Sequence, residues 1–168
     1  MGGEICVESV IGKGSTFYFT FWAGIKNQQK ENLAIENNEK GNELLKNRNI
    51  LLVEDDYVSQ LVIKQICKMK NWNVSVASNG NEALEILENN KFDLILMDIQ
   101  MPEISGYDLA KIIREKEKLT EKHISIIATT AYAMETDKEH ALNVGMDDYI
   151  SKPIDLTKLE EIINKVVK

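Results

Sequence analysis

The sequence has few cysteines, few prolines and no long apolar run. Its two cysteines, Cys6 and Cys67, are far apart and belong to no Cys-x-x-Cys or Cys/His cluster. This spacing indicates neither a disulfide framework nor a zinc site, and we expect a reducing, cytoplasmic location. No stretch approaches the roughly 18 apolar residues of a membrane span, and the N-terminus lacks a signal-peptide pattern. We expect no direct membrane contact, and any anchor would lie outside this chain.

The chain also lacks an excess of basic residues. It has 20 Lys and Arg against 27 Asp and Glu, and the whole net charge of −7 falls after Arg48, because the first 48 residues hold six of each sign. Binding to nucleic acids or anionic membranes needs clustered Lys and Arg. We therefore expect no nucleic-acid partner, and a protein or a metal ion fits the charge better.

The pattern of the chain changes near Ile25 and again near Arg48. Residues 4–9 and 16–21 are β-prone and flank a Gly-Lys-Gly turn, which predicts a β-hairpin. A lone hairpin is marginal in water, so this segment needs a partner or stays disordered. Residues 26–48 are rich in Asn, Gln, Glu and Lys, and we interpret them as a polar linker.

From residue 49 onward, short apolar strands alternate with segments of helical periodicity. Strands such as LILM and ISIIAT are apolar on both sides, as expected when helices cover both faces of a parallel sheet. We predict an α/β, flavodoxin-like, doubly wound sheet of five parallel strands in the order 2-1-3-4-5. The predicted strands are residues 50–53, 73–77, 93–97, 124–129 and 148–151.

Three of the helical segments carry apolar residues at the spacing of one helix face. Gly145 is expected to end the helix before the last strand, and Asp155 to cap the start of the final helix. Each stripe is expected to cover one face of the sheet, and the stripes are Val58, Leu61, Val62, Ile66 and Met69; Leu109, Ile112 and Ile113; and Leu156, Leu159, Ile163 and Val166.

Polar residues follow four of the five predicted strands. In chain order they are Glu54-Asp55-Asp56, Asp98, Thr129-Thr130 and Lys152. In doubly wound sheets, ligands bind beyond the carboxyl ends of the strands. Because the first and third strands are neighbours in the predicted order, we expect Glu54, Asp55 and Asp98 to surround one small pocket.

Three carboxylates in one pocket repel each other. One pair about 4 Å apart contributes roughly 4 kcal/mol of repulsion at an effective dielectric near 20. A hard divalent cation would relieve this, and a site with few carboxylates suits Mg²⁺ better than Ca²⁺. Asp98 is then placed to be a nucleophile toward a phosphoryl group, with Lys152 as a point charge and Thr130 as a hydroxyl donor. The expected product is an aspartyl phosphate.

Each of these features alone has a simpler interpretation. The acidic run fits a solvated turn, Asp98 a helix cap or surface group, Thr130 a strand end and Lys152 a solvated lysine. All four simpler interpretations would have to hold at successive strand ends. Because such a coincidence is improbable, the pattern favours a functional site.

Four motifs in residues 49–168 closely resemble the response-regulator receiver family in order and spacing. They are ILLVEDD at 50–56, FDLILMDIQMPEISGYDL at 92–109, ATTAYAM at 128–134 and GMDDYISKPI at 145–154. The resemblance implies phosphorelay signalling in a two-component system, in which the receiver would switch conformation, pass its phosphate to a histidine phosphotransfer protein, or both. The phosphoryl donor would be a phosphohistidine of a histidine kinase or of a histidine phosphotransfer protein.

The resemblance also implies roles for single residues. Glu54 and Asp55 would be the acidic metal pair, Asp98 the phosphoacceptor, and the backbone carbonyl of Gln100 a further Mg²⁺ ligand. A Glu-Asp pair replaces the commoner Asp-Asp, and this leaves the metal assignment standing.

Three more roles are implied in the same way. Thr130 and Lys152 would hold the phosphoryl group. Tyr149 resembles the family's switch aromatic, which swings inward when the threonine is drawn toward phosphate, although a partly buried core tyrosine is the alternative.

Residues 1–25 have a resemblance of their own. MGGEICVESVIGKGSTFYFTF is similar to the C-terminal end of a histidine kinase ATP-binding domain. The phosphorylated-histidine and nucleotide-binding motifs of such kinases are absent, and His123 and His140 stand in no such context. We expect no ATP-dependent kinase activity from this chain. It resembles the end of a hybrid sensor kinase: a kinase remnant, a linker over 26–48 and a receiver over 49–168.

Two other classes of protein fit the sequence less well. A haloacid-dehalogenase-like phosphatase needs a second aspartate two residues after the nucleophile, where this chain has Gln100. A flavin or nucleotide carrier of the same fold would have a Gly-rich or Ser/Thr-rich phosphate loop after the first strand, where this chain has carboxylates.

Overall fold

The computed structural model describes residues 5–10, 12, 14–20, 47–119, 122–131 and 135–167. Within them, the N-terminal hairpin and the five-stranded domain belong to separate compact units. Residues 21–46, which hold most of the predicted linker, lie outside the described residues. The proposed kinase origin of residues 1–25 therefore stays a prediction.

The hairpin consists of β1 (Ile5–Val10) and β2 (Gly14–Phe19), which pair antiparallel with Val7 opposite Phe17. Gly14 has a φ of 100°, a conformation that favours glycine. The predicted hairpin is thus confirmed. The paired side chains of Val7 and Phe17 are 58% and 67% exposed.

The second unit is built on five parallel strands. They are β3 (Asn49–Val53), β4 (Asn73–Ala77), β5 (Leu94–Asp98), β6 (Ser125–Thr130) and β7 (Asp148–Ser151). Their order across the sheet is β4-β3-β5-β6-β7, which confirms the predicted order 2-1-3-4-5. The strand bounds lie within one residue of those predicted.

One helix follows each of these five strands. The helices are α1 (Tyr57–Met69), α2 (Gly80–Asn89), α3 (Gly106–Glu117), α4 (Glu135–Asn143) and α5 (Leu156–Val166). Asp155 caps α5 by accepting a hydrogen bond from the Lys158 amide, and Gly145 follows α4 with a φ of 95°. Both cap predictions are confirmed. None of the described helices is both long and apolar enough to cross a membrane.

Two apolar layers cover the two faces of the sheet. One layer joins Leu51 and Ile95 of the strands to Leu109 of α3, and the other joins Ile50 and Leu159. Burial on both sides explains why most of β5 and most of β6 are apolar, because every position of these two strands is buried, whereas Asn73 and Ser75 of the outer strand β4 are exposed.

The prediction for the first helical stripe was wrong for four of its five residues and confirmed for Ile66, which is buried. In α1, Val58 is 65% exposed and Val62 53%, with Leu61 and Met69 also in solvent. The face that packs on the sheet holds Gln60, Ile63, Ile66 and Cys67. Both faces of α1 carry apolar residues, and the polar Gln60 interrupts the apolar pattern of the buried face. Periodicity alone therefore selected the wrong face.

Candidate functional site

The acidic run lies in a short connection between β3 and α1. The Glu54 amide donates to the Ala77 carbonyl at 3.0 Å, which continues the pairing of β3 with β4 past the last strand residue. Asp56 caps α1, because its Oδ1 accepts a hydrogen bond from the Ser59 amide at 2.7 Å. Glu54 and Asp55 are thus held between a strand end and a helix cap.

The three expected carboxylates come together at the carboxyl edge of the sheet. One oxygen from each of Glu54, Asp55 and Asp98 lies within 4.8 Å of the others. Glu54 is fully buried and Asp98 nearly so, whereas Asp55 is exposed. The pocket therefore opens to solvent on the Asp55 side, and a small ligand has access from there.

Lys152 supplies a positive charge inside this cluster. Its Nζ lies 2.7 Å from Glu54 Oε2 and 2.7 Å from Asp98 Oδ2. Its backbone amide donates to the Thr130 carbonyl at 2.7 Å. The loop after β7 is thereby tied to the end of β6, and the side chain reaches across to the other two strands.

The electrostatics of the pocket favour an additional cation. Burial raises the pKa of Glu54 to about 7, although the hydrogen bond from Lys152 lowers it, and the charge of Asp98 raises it further. Burial also lowers the pKa of Lys152, but hydrogen bonds to Asp98 and Glu54 outweigh this and leave that pKa above its usual value. One lysine leaves the three carboxylates with a negative surplus.

The donor set fits a hard divalent cation. All three side chains offer oxygen, the ligand type that Mg²⁺ and Ca²⁺ prefer. Glu54 Oε1 is buried without a hydrogen-bond partner among the described residues, and Oε2 lies 2.7 Å from the Lys152 ammonium group. A buried carboxylate oxygen with no donor is unfavourable, and a bound cation would satisfy it.

The remaining predicted residues border the same pocket. Thr130 is buried at the end of β6. Gln100 is exposed, and its amide donates to Asp98 Oδ1 at 3.1 Å. The structure gives no direct test of the roles assigned to Thr130 and to the Gln100 carbonyl, and these stay predictions.

Tyr149 lies in β7 and is half-buried against the layer that contains Leu109. The ammonium groups of Lys138 and Lys158 lie 5.4 and 6.0 Å from the centre of its ring. The ring thus has apolar and cationic neighbours. Its inward swing stays a prediction.

Sequence reasoning missed two residues that shape the site. Gln60 is a buried amide whose Nε2 donates to the Glu54 carbonyl. Gly106 begins α3 so close to β5 that a Cβ there would collide with the Asp98 carbonyl oxygen and Ile99 Cα. Ser105 caps α3, and a glycine directly after it was a signal that α3 approaches β5 closely. Nothing in the sequence marked Gln60.

Comparison with known sequences agrees with this geometry. The model of the response regulator receiver domain matches residues 50–164. The chain is 42% identical over 120 residues to hybrid signal transduction histidine kinase I of Dictyostelium discoideum, covering 68% of this chain. It is 34% identical over 165 residues, or 98% of its length, to the aerobic respiration control sensor protein ArcB of Escherichia coli strain K12. It spans only 7% and 20% of these two relatives.

Solved structures show the same architecture. The receiver domain of sensor histidine kinase PA1611 from Pseudomonas aeruginosa, with magnesium in its active site cleft, has a TM-score of 0.64 at 35% identity, covering 72% of this chain and 98% of that one. The receiver domain of Ssk1 from Saccharomyces cerevisiae, crystallised with the histidine phosphotransfer protein Ypd1, gives 0.67 at 32% identity, with coverages of 73% and 90%. With its strand order, acidic pocket and bridging lysine, the chain belongs to the response regulator receiver family.

Proposed function

We propose that this domain accepts a phosphoryl group on Asp98 from a phosphohistidine, with Mg²⁺ held by Glu54, Asp55, Asp98 and the Gln100 carbonyl. The observation that carries the proposal is the convergence of three carboxylates at the carboxyl edge of the sheet, two of which, Glu54 and Asp98, pair with Lys152. The magnesium in the similar PA1611 receiver supports the identity of the cation.

Transfer to Asp98 is a displacement at phosphorus. A carboxylate oxygen of Asp98 forms the new P–O bond while the P–N bond to the donor imidazole breaks, and the imidazole leaves with the electron pair of that bond. Bound Mg²⁺ would neutralise charge on the carboxylates and the phosphoryl oxygens. Lys152 is within reach of the new acyl phosphate, because its Nζ already lies 2.7 Å from Asp98 Oδ2.

The Lys152 ammonium group has two roles in this proposal. Without a metal, its ammonium group is the cation that holds Glu54 and Asp98 together. If Mg²⁺ were held by the carboxylates, it would supply the positive charge they need, and the Lys152 ammonium group would be available to a phosphoryl oxygen. The Thr130 hydroxyl would donate to another oxygen, and Tyr149 would follow Thr130 inward as the switch.

An exposed apolar face of α1 supports a protein donor. We define the α1 face as Tyr57, Val58, Leu61 and Val62, which are between 47% and 67% exposed. It starts two residues after Asp55, so it borders the open side of the pocket. A donor that brings a phosphohistidine to Asp98 must dock beside the pocket, and a helical protein such as a phosphotransfer domain could bury this face.

A substitution on this face separates docking from chemistry. Val62→Glu should slow phosphotransfer from a phosphohistidine protein at least tenfold, yet leave labelling by acetyl phosphate unchanged. Met69→Glu is the matched control, because Met69 is exposed on the same helix at its far end. Equal transfer to Val62→Glu and wild type would refute the docking role.

We further propose that residues 1–25 are the end of a kinase ATP-binding domain and that the chain is part of a cytoplasmic hybrid histidine kinase. The match to ArcB supports this, since it covers 98% of the chain and therefore extends into the hairpin. The buried, free thiol of Cys67 is compatible with a reducing compartment. No ATP-dependent autophosphorylation is expected from this chain alone.

The central test is intact mass after incubation with acetyl phosphate, with and without Mg²⁺, for wild type and Asp98→Asn. We expect a Mg²⁺-dependent gain of one phosphoryl group that is labile to alkali and absent from the variant. A gain retained in Asp98→Asn would place the acceptor elsewhere. No gain by wild type would reduce the domain to a binding module.

A further inference from the structure

Gln60 is a buried polar side chain on the packed face of α1. It is 7% exposed and lies on the same helix face as Ile63 and Cys67. Its Nε2 donates to the Glu54 carbonyl oxygen at 2.7 Å and makes a longer contact of 3.4 Å with Ser78 Oγ. Burying an amide at an apolar interface is unfavourable unless it is hydrogen-bonded, so the short bond to Glu54 accounts for its placement.

This bond fixes one particular peptide group. The Glu54 carbonyl belongs to the peptide that joins Glu54 to Asp55, and the Glu54 amide on the other side donates to Ala77. The backbone of Glu54 is therefore held at both its N–H and its C=O. Because the peptide group is planar, holding its oxygen limits the directions in which the Asp55 side chain can leave the backbone.

The next residue is tied to the same helix. Asp56 accepts from the Ser59 amide and its carbonyl accepts from the Gln60 amide at 3.0 Å. Gln60 thus contacts the acidic run through its backbone and its side chain. Asp55 lies between these two attachments and is the exposed carboxylate of the pocket.

We propose that Gln60 is a positioning residue for the cation site: its amide holds the Glu54–Asp55 peptide so that both carboxylates point toward Asp98 before a cation arrives. The inference rests on the proposed Mg²⁺ function. Ligands fixed by a second layer of hydrogen bonds do not have to be ordered on binding, which raises affinity for the metal.

The test measures the Mg²⁺ affinity of the unphosphorylated protein by calorimetry and by the NMR chemical shifts of the backbone amides of residues 54–56. Gln60→Met keeps the side-chain length but removes the donor, and Gln60→Glu keeps the shape with an acceptor facing the carbonyl. Gln65→Met is the control, because Gln65 is exposed on the same helix. We expect both Gln60 variants to bind Mg²⁺ about tenfold more weakly and the control to match wild type.

A second readout separates positioning from chemistry. At saturating Mg²⁺, the acetyl phosphate labelling rate of Gln60→Met should approach that of wild type, so that only the Mg²⁺ concentration needed for half-maximal rate changes. Unchanged affinity in both Gln60 variants would overturn the inference. The inference would also be overturned if the Gln60 variants lost the native near-UV circular dichroism spectrum in the absence of Mg²⁺, because Gln60 would then support the fold itself. Failure of wild type to bind Mg²⁺ would instead contradict the proposed function.

Discussion

The charged side chains at the two ends of the parallel sheet differ in how completely they are paired. At the amino end, Arg114 of α3 forms ion pairs of 2.7 Å with Glu117 and 2.8 Å with Asp147 and also donates to two backbone carbonyls. Both oxygens of Glu117 and both oxygens of Asp147 have a partner. At the carboxyl end, Glu54 Oε1 has none among the residues that the structure describes.

This difference separates stability from function. At the amino end, every carboxylate oxygen of Glu117 and Asp147 has a partner within the chain, and the interactions hold α3 to the loops before β6 and β7. Charges at the carboxyl end keep a negative surplus, which destabilises the fold in the absence of a ligand but makes the pocket attractive to a cation and then to a phosphoryl group. Substitutions at the two ends should therefore have different signatures.

The largest effect is expected at the amino end. Arg114→Met leaves two partly buried carboxylates without their cation, and we expect it to lower the free energy of unfolding by about 4 kcal/mol. Urea denaturation without Mg²⁺ measures this, and Mg²⁺ affinity should not change. Lys111→Met is the control, because Lys111 pairs with Asp108 in solvent. A loss below about 1 kcal/mol for Arg114→Met would show that this end is not a stability centre.

The next effect is the pH dependence that Glu54 creates without Mg²⁺. Its pKa is about 7 in the folded protein and 4.5 in its ordinary state, so the folded protein binds the proton more tightly. Stability should therefore fall by up to about 3 kcal/mol as pH rises from 4.5 to 7 and then level off. Urea midpoints in EDTA should show this fall, and Glu54→Gln should reduce it. Equal pH profiles of the two proteins would contradict the assignment.

A smaller loss is expected where α3 approaches the acceptor strand. The methyl group of Gly106→Ala would meet the Asp98 carbonyl, and the backbone has to shift. We expect a loss of about 2 kcal/mol and slower labelling by acetyl phosphate. Gly80→Ala provides a comparison, because the nearest atoms to its methyl group would be those of the Ile104 side chain rather than backbone. If both variants label at the wild-type rate, the close approach has no bearing on the site.

The smallest stability change is expected for Lys152→Ala. Removing the ammonium group leaves Glu54 and Asp98 without their cation, but Glu54 can take up a proton, which limits the loss to about 1 kcal/mol near neutral pH. Mg²⁺ binding should be nearly intact, whereas phosphorylation and signalling should fail. Calorimetry and labelling distinguish these outcomes. Loss of Mg²⁺ affinity would contradict the role given to Lys152.

The sheet and the acidic pocket were predictable for the same reason. Strands buried on both faces show as continuous apolar runs, and their carboxyl ends locate Glu54, Asp98 and Lys152 at one edge. The face of α1 was not predictable, because both faces are apolar. Gln60 acts through a backbone carbonyl, and Arg114 also contacts residues 10, 31 and 33 positions away, so no side-chain pattern in the sequence marks either role.

The point where the chain enters this domain has a mechanical consequence. Arg48 precedes β3 at the amino edge of the sheet, while the pocket lies past Val53 at the opposite edge, roughly 17 Å away for a strand of five residues. The chain is therefore attached to the domain at the end of the sheet opposite the pocket. A rotation of the domain about Arg48 would therefore move the pocket further than it moves the amino end of the sheet.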